Sequence, residues 1–88
     1  MEVYFTNIAD KELKSWLKSN RAVAQKIYEL IEDIQENGVL YGKGKPEQLK
    51  HYKNPVRFSR RIDQSDRLIY SYNGGIFLII SCKGHYEG

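Results

Sequence analysis

The sequence predicts an α+β fold of order β-α-α-β-β-β-β, in which an antiparallel, twisted sheet carries two helices on one face. Three observations predict the architecture. Residues 1–5 alternate in polarity, residues 7–37 carry apolar stripes of helical period, and residues 46–81 contain four short segments separated by turn-forming residues.

In the first segment Val3 and Phe5 share one side, with Glu2 and Tyr4 on the other, as in a short strand covered on one face. Thr6 or Asn7 caps the helix that follows. There Leu13, Trp16 and Leu17 fall at i, i+3 and i+4, and Lys11, Glu12, Lys14 and Lys18 take the remaining positions. Ser19-Asn20 breaks this helix and caps the next. In the second, Val23, Ile27, Leu30, Ile31 and Ile34 repeat with helical period, and Gly38 supplies the left-handed stop. The two helices form a hairpin.

Gly42 and Gly44 bracket a loop, after which residues 46–50 form a short edge strand, a place that tolerates Pro46. Asn54-Pro55 turns the chain. Residues 56–62 are a strand with Val56, Phe58, Arg60 and Ile62 on one face and Arg57, Ser59 and Arg61 on the other. Residues 63–66 make a tight connection to a strand at 67–72, and Asn73-Gly74-Gly75 is a hairpin signal. The near-continuous apolar run 76–81 is expected of a central strand covered on both faces.

Eighty-eight residues with 41% hydrophobic content suit a single domain spanning 1–88. Cys82 is the lone cysteine, so no internal disulfide forms, and two histidines leave too few soft ligands for structural zinc. No metal and no cofactor are expected. The longest apolar run is the five residues 76–80, so neither a secretion signal nor a membrane span is expected, and the chain reads as cytoplasmic.

The charge is unevenly placed. Residues 1–41 hold five Lys+Arg against seven Asp+Glu, net −2, and residues 42–88 hold nine against four, net +5, which together give the overall +3. Residues 42–67 alone carry Lys43, Lys45, Lys50, Lys53, Arg57, Arg60, Arg61 and Arg67. Such a half is suited to a polyanion. With Phe58 and Ile62 turned to the core, Arg57, Ser59 and Arg61 meet Arg67 on the opposite, open face, and planar guanidinium forks fit phosphate oxygens.

A phosphate-binding face becomes catalytic when an acid and a base reach the reacting atoms. Glu47 is a carboxylate in the middle of the cationic stretch, and His85 follows the last apolar strand. An imidazole with an unperturbed pKa of about 6.5 exchanges protons near neutrality. Together with the arginines these two suffice for metal-free RNA cleavage by 2′-OH attack, declining at high pH as His85 loses its proton. Taken singly, such residues occur in many small basic domains, as solvated carboxylates and idle histidines.

Four blocks in register carry more information. The runs Gly44-Lys45-Pro46-Glu47-Gln48-Leu49-Lys50-His51, Phe58-Ser59-Arg60-Arg61-Ile62, Asp66-Arg67-Leu68-Ile69-Tyr70 and Cys82-Lys83-Gly84-His85-Tyr86 closely resemble the YoeB toxins of the RelE/ParE superfamily over essentially the whole chain. The resemblance implies the toxin of a type II toxin–antitoxin pair that enters the ribosomal A site and cuts mRNA, a RelE-like microbial RNase. It implies a YefM-like antitoxin, the ribosome with its rRNA and mRNA as partners, and association as a homodimer.

Position by position, the resemblance makes Glu47 the general base, His85 the general acid, Arg67 the transition-state arginine and Arg61 a second phosphate ligand. It makes Lys50 a backbone contact and Tyr86 an orienting aromatic. Lys45 and Arg57 belong to the RNA-facing charge. The chain departs from the family pattern at Gly84, where tyrosine is usual, at Phe58, where tryptophan is usual, and in the extra Glu87-Gly88, which adds a carboxylate near His85. Two other functions remain open: a non-catalytic binder of RNA or ribosomes, and a gyrase-targeting toxin of the ParE branch, which lacks this Glu, Arg and His set.

Overall fold

The computed structural model describes residues 2–84. Its elements are β1 (Glu2–Phe5), α1 (Asn7–Ser19), α2 (Arg21–Asn37), β2 (Glu47–Lys53), β3 (Val56–Arg61), β4 (Arg67–Asn73) and β5 (Ile76–Ser81). The sheet has the order β1-β5-β4-β3-β2. Strands β2 to β5 run antiparallel to their neighbours, as the turn signals require, but β1 lies parallel to β5. The helical hairpin between β1 and β2 explains this exception. It carries the chain away from β1, so the last strand, not the next one, takes the place beside it.

Caps set the helix ends. The Thr6 hydroxyl accepts from Ala9 N at 3.0 Å and donates to Ile80 O at 2.7 Å, so one side chain starts α1 and ties it to the sheet. Asn20 receives Val23 N and separates the helices, and Gly38, at φ 94°, ends α2 with its N–H on Ile34 O.

The two stripes read from sequence meet the sheet. Ala9, Leu13, Val23, Ala24, Ile27, Leu30, Ile31 and Ile34 form one buried cluster with Phe58, Ile62, Leu68, Tyr70, Phe77, Ile79 and Cys82. Trp16 and Leu17 pack against it partly buried. The Tyr70 ring lies 5.7 Å from both Phe58 and Phe77, offset-stacked on one and edge-on to the other.

One expectation fails. The run in β5 was predicted to be covered on both faces, but Ile76 is 47% exposed and Leu78 only half-buried. Phe77 and Ile79 face the helices, whereas Ile76 and Leu78 stand opposite Asn73 and Ser71 on the side without helices. A continuous apolar run carries no alternation, so sequence could not reveal the uncovered face. Among the described residues no helix is long and apolar enough to cross a membrane.

Candidate active site

The site lies on the sheet face turned away from the helices. Register places Glu47 opposite Ser59, Ser59 opposite Ile69, and Arg61 opposite Arg67, so three strands deliver one patch. Side-chain alternation settles the orientation: Phe58, Leu68 and Tyr70 enter the core cluster, and their neighbours Ser59, Arg67 and Ile69 must point the other way. Leu49 and Ile69, both buried, stand outside that cluster. They share their strands' open face with Glu47 and Arg67 and give it a local apolar floor.

The Arg67 guanidinium reaches the Glu47 carboxylate at 3.5 Å. Ser59 Oγ, fully buried, donates to the same Glu47 oxygen at 3.4 Å. The Glu47 side chain is 58% exposed and that of Arg67 22%. A solvated pair of this kind is worth at most about 1 kcal/mol, so an incoming phosphate can displace it. Arg61 is exposed beside Arg67, and among the described residues no carboxylate pairs with it. Sequence reading did not single out Ser59 as a contact of Glu47. Its place between two arginines on the polar face was the available signal.

Of the remaining predicted residues, Lys45 and Lys50 are exposed, before and on the edge strand β2. Arg57 is half-buried with its guanidinium 4.4 Å over the Tyr52 ring, and its Nε is buried with no hydrogen-bond partner among the described residues. His85 and Tyr86 lie outside the described residues, but the chain leading to them is placed: Gly84 O accepts from Arg67 N at 3.1 Å. The same open face also holds a depression of about 430 Å³ lined by Asn54, Pro55, Ser71, Asn73, Ile76 and Leu78, away from Glu47 and Arg67.

The loop before Glu47 is fixed from below. Arg60, on the core face, is fully buried and paired with Asp33 of α2. It also donates to the carbonyls of Gly38, Tyr41 and Lys43 and to the Tyr70 hydroxyl. Asp33 in turn accepts from Lys43 N and from the Asn37 amide, both at 2.9 Å. The Lys43 N–H, with Arg60 and Asn37, holds the Asp33 carboxyl below its ordinary range although burial opposes this. Gly42 makes room for the network, because a Cβ there would lie 2.0 Å from an Asp33 oxygen.

A carboxylate and two guanidinium groups thus converge on one sheet face, with flanking lysines on the edge and the Gly84 carbonyl bonded to the Arg67 N–H. Residues 5–86 match the family described as the YoeB-like toxin of bacterial type II toxin–antitoxin systems. The chain belongs to this family. The YoeB toxin of Escherichia coli strain K12 is 39% identical over 71 residues, which cover 81% of this chain and 82% of that protein. A YoeB dimer from Staphylococcus aureus superposes with a TM-score of 0.89 at 37% identity, over 98% of both chains. YoeB in a heterotetrameric YoeB–YefM toxin–antitoxin complex from the same organism superposes at 0.86 and 36% identity, again over 98% of both chains.

Proposed function

We propose that this member of the YoeB-like family is a ribosome-dependent mRNA endoribonuclease, acting by metal-free attack of a ribose 2′-OH on the adjacent phosphate in the ribosomal A site. The observation that carries the reading is the convergence of Glu47, Arg61 and Arg67 on one open sheet face. Glu47 takes the proton of the 2′-OH. The 2′-oxygen then attacks phosphorus, and the 5′-oxygen leaves with a proton from His85, giving a 2′,3′-cyclic phosphate and a 5′-OH end. Arg67 and Arg61 hold the extra negative charge that develops on the phosphoryl oxygens. Each proton transfer contributes about 10²- to 10⁴-fold. Lys45, Lys50 and Arg57 supply charge for rRNA and mRNA, and Tyr86 orients a base.

The likeness to YoeB in a YoeB–YefM complex and in a YoeB dimer supports a YefM-like antitoxin and a second copy of this chain as partners. In free protein the Arg67–Glu47 contact occupies both groups, and RNA binding must exchange it for phosphate and 2′-OH. Cleavage mapped by toe-printing on ribosomes programmed with a defined message tests the proposal. Glu47→Ala and His85→Ala should each slow cutting by about 10²- to 10⁴-fold, to a measurable residual rate, while folding and ribosome binding persist. Cutting at the wild-type rate in both variants would overturn the roles given to Glu47 and His85, and ribosome binding by wild type without any cutting would make a non-catalytic ribosome binder the better reading.

A further inference from the structure

Residues 82–84, beyond β5, are held on both sides. Over three residues, Cys82 to Gly84, four backbone polar groups are engaged by two separate parts of the fold. From α1, Glu12 Oε1 receives Cys82 N at 2.8 Å and Trp16 Nε1 donates to Cys82 O at 2.9 Å. Glu12 and Trp16 are one helical turn apart and form a single grip, which Lys83 closes by lying 5.2 Å over the Trp16 ring.

From the β3–β4 turn, Asp66 Oδ1 receives Gly84 N at 2.7 Å, and Arg67 N donates to Gly84 O. Asp66 is itself held firmly. It is only 9% exposed, its carbonyl accepts from Ile62 N and Asp63 N, and its N–H donates to Asp63 Oδ1. The turn needs only the Asp66 backbone, which leaves the carboxylate free to hold Gly84. Gly84 sits at φ 86°, a left-handed conformation that glycine adopts without strain, and the next residue is His85.

Arg67 therefore grips two things at once: its backbone holds Gly84 and its side chain reaches Glu47. We propose that Asp66, aided by Glu12 and Trp16, is a positioning residue that fixes the peptide immediately before His85 against the Arg67 backbone. The proposal rests on the reading of His85 as general acid. Misplacing a reacting group by about 1 Å can cost about 10²-fold, so a clamp one residue upstream bears directly on rate.

The test compares Asp66→Ala with Asp66→Asn, which keeps the Oδ1 acceptor, in single-turnover cleavage on programmed ribosomes. Asp66→Ala should lower the saturating rate about 10- to 100-fold with a half-saturating concentration within about twofold of wild type. Asp66→Asn should restore most of it. In a His85→Ala background Asp66→Ala should cost nothing further, because there is no longer an acid to place. Glu12→Ala, on the other side of the clamp, should show the same dependence on His85 and serves if Asp66→Ala does not fold. A full rate in Asp66→Ala, or equal losses with and without His85, overturns the clamp while leaving the acid assignment intact. A wild-type rate in His85→Ala alone overturns the acid assignment itself, and the clamp with it.

Discussion

Arg60 and Asp33 form an ion pair beneath the sheet in which the arginine is wholly buried and the carboxylate nearly so. The guanidinium also closes the loop between α2 and β2 through the Gly38, Tyr41 and Lys43 carbonyls. Removing one member strands the other's charge in the core, a change that costs roughly 3 to 5 kcal/mol. Arg60→Met should therefore lower the thermal midpoint by about 12 °C or more in a chain of this size. Thermal and urea unfolding measure it, and a loss below about 1 kcal/mol would show the network to be dispensable.

The same carboxylate gives stability a pH dependence. Folding lowers the Asp33 pKa from its ordinary 3.8, chiefly through the Lys43 N–H. The native state thus binds fewer protons than the unfolded chain. The contribution is complete above about pH 5 and is lost as pH falls through the ordinary value towards the lowered native one. Between about pH 6 and pH 3 the urea midpoint of wild type should drop more than that of Asp33→Asn, which starts lower. Parallel curves for the two proteins would assign acid sensitivity to other groups.

Cys82 gives a third prediction. It is fully buried, and burial first, then the Glu12 and Asp66 carboxylates, push its thiol up to about 12. Thiolate is the reactive form, so the folded protein should resist alkylation near neutral pH and react only as it unfolds. Iodoacetamide labelling followed against urea should track the unfolding curve. Rapid labelling without denaturant would show that the end of β5 opens independently.

Periodicity made most of this fold legible before any coordinates. The stripes of α1 and α2 and the opposed faces of β3 follow from residue spacing. Residue type gives Asn20 as one cap and Thr6 or Asn7 as the other, of which Thr6 takes the place. Arg60 was legible by position and not by role: alternation placed it with Val56, Phe58 and Ile62, which is where the core lies. Asp33 carried a matching signal, a carboxylate beside Leu30 and Ile34 on the apolar stripe, but which buried charge meets which is a long-range fact. The parallel pairing of β1 and the clamp on Gly84 are long-range in the same sense. They join residues 66 or more positions apart, or across a turn, and no local pattern encodes them.

The cationic residues should divide by what they do to affinity and to rate. Lys45 and Lys50 are exposed on the β2 side, and Arg57 is half-buried over Tyr52; all three suit backbone charge. Arg61 instead lies directly across from Arg67, within the patch that contains Glu47. Losing one phosphate contact reduces the salt dependence of binding by about 0.7 to 0.9 in log–log slope. Lys45→Ala, Lys50→Ala and Arg57→Ala should each weaken ribosome binding by that slope and leave the saturating cleavage rate within a few-fold of wild type. Arg61→Ala should lower the saturating rate by about 10²-fold, the usual cost of one donor to a developing anion. Binding isotherms at several salt concentrations, paired with single-turnover rates, separate the two classes. An Arg61→Ala protein that binds less tightly yet cleaves at full rate once saturated would move Arg61 out of the reacting site and into the surrounding field of charge.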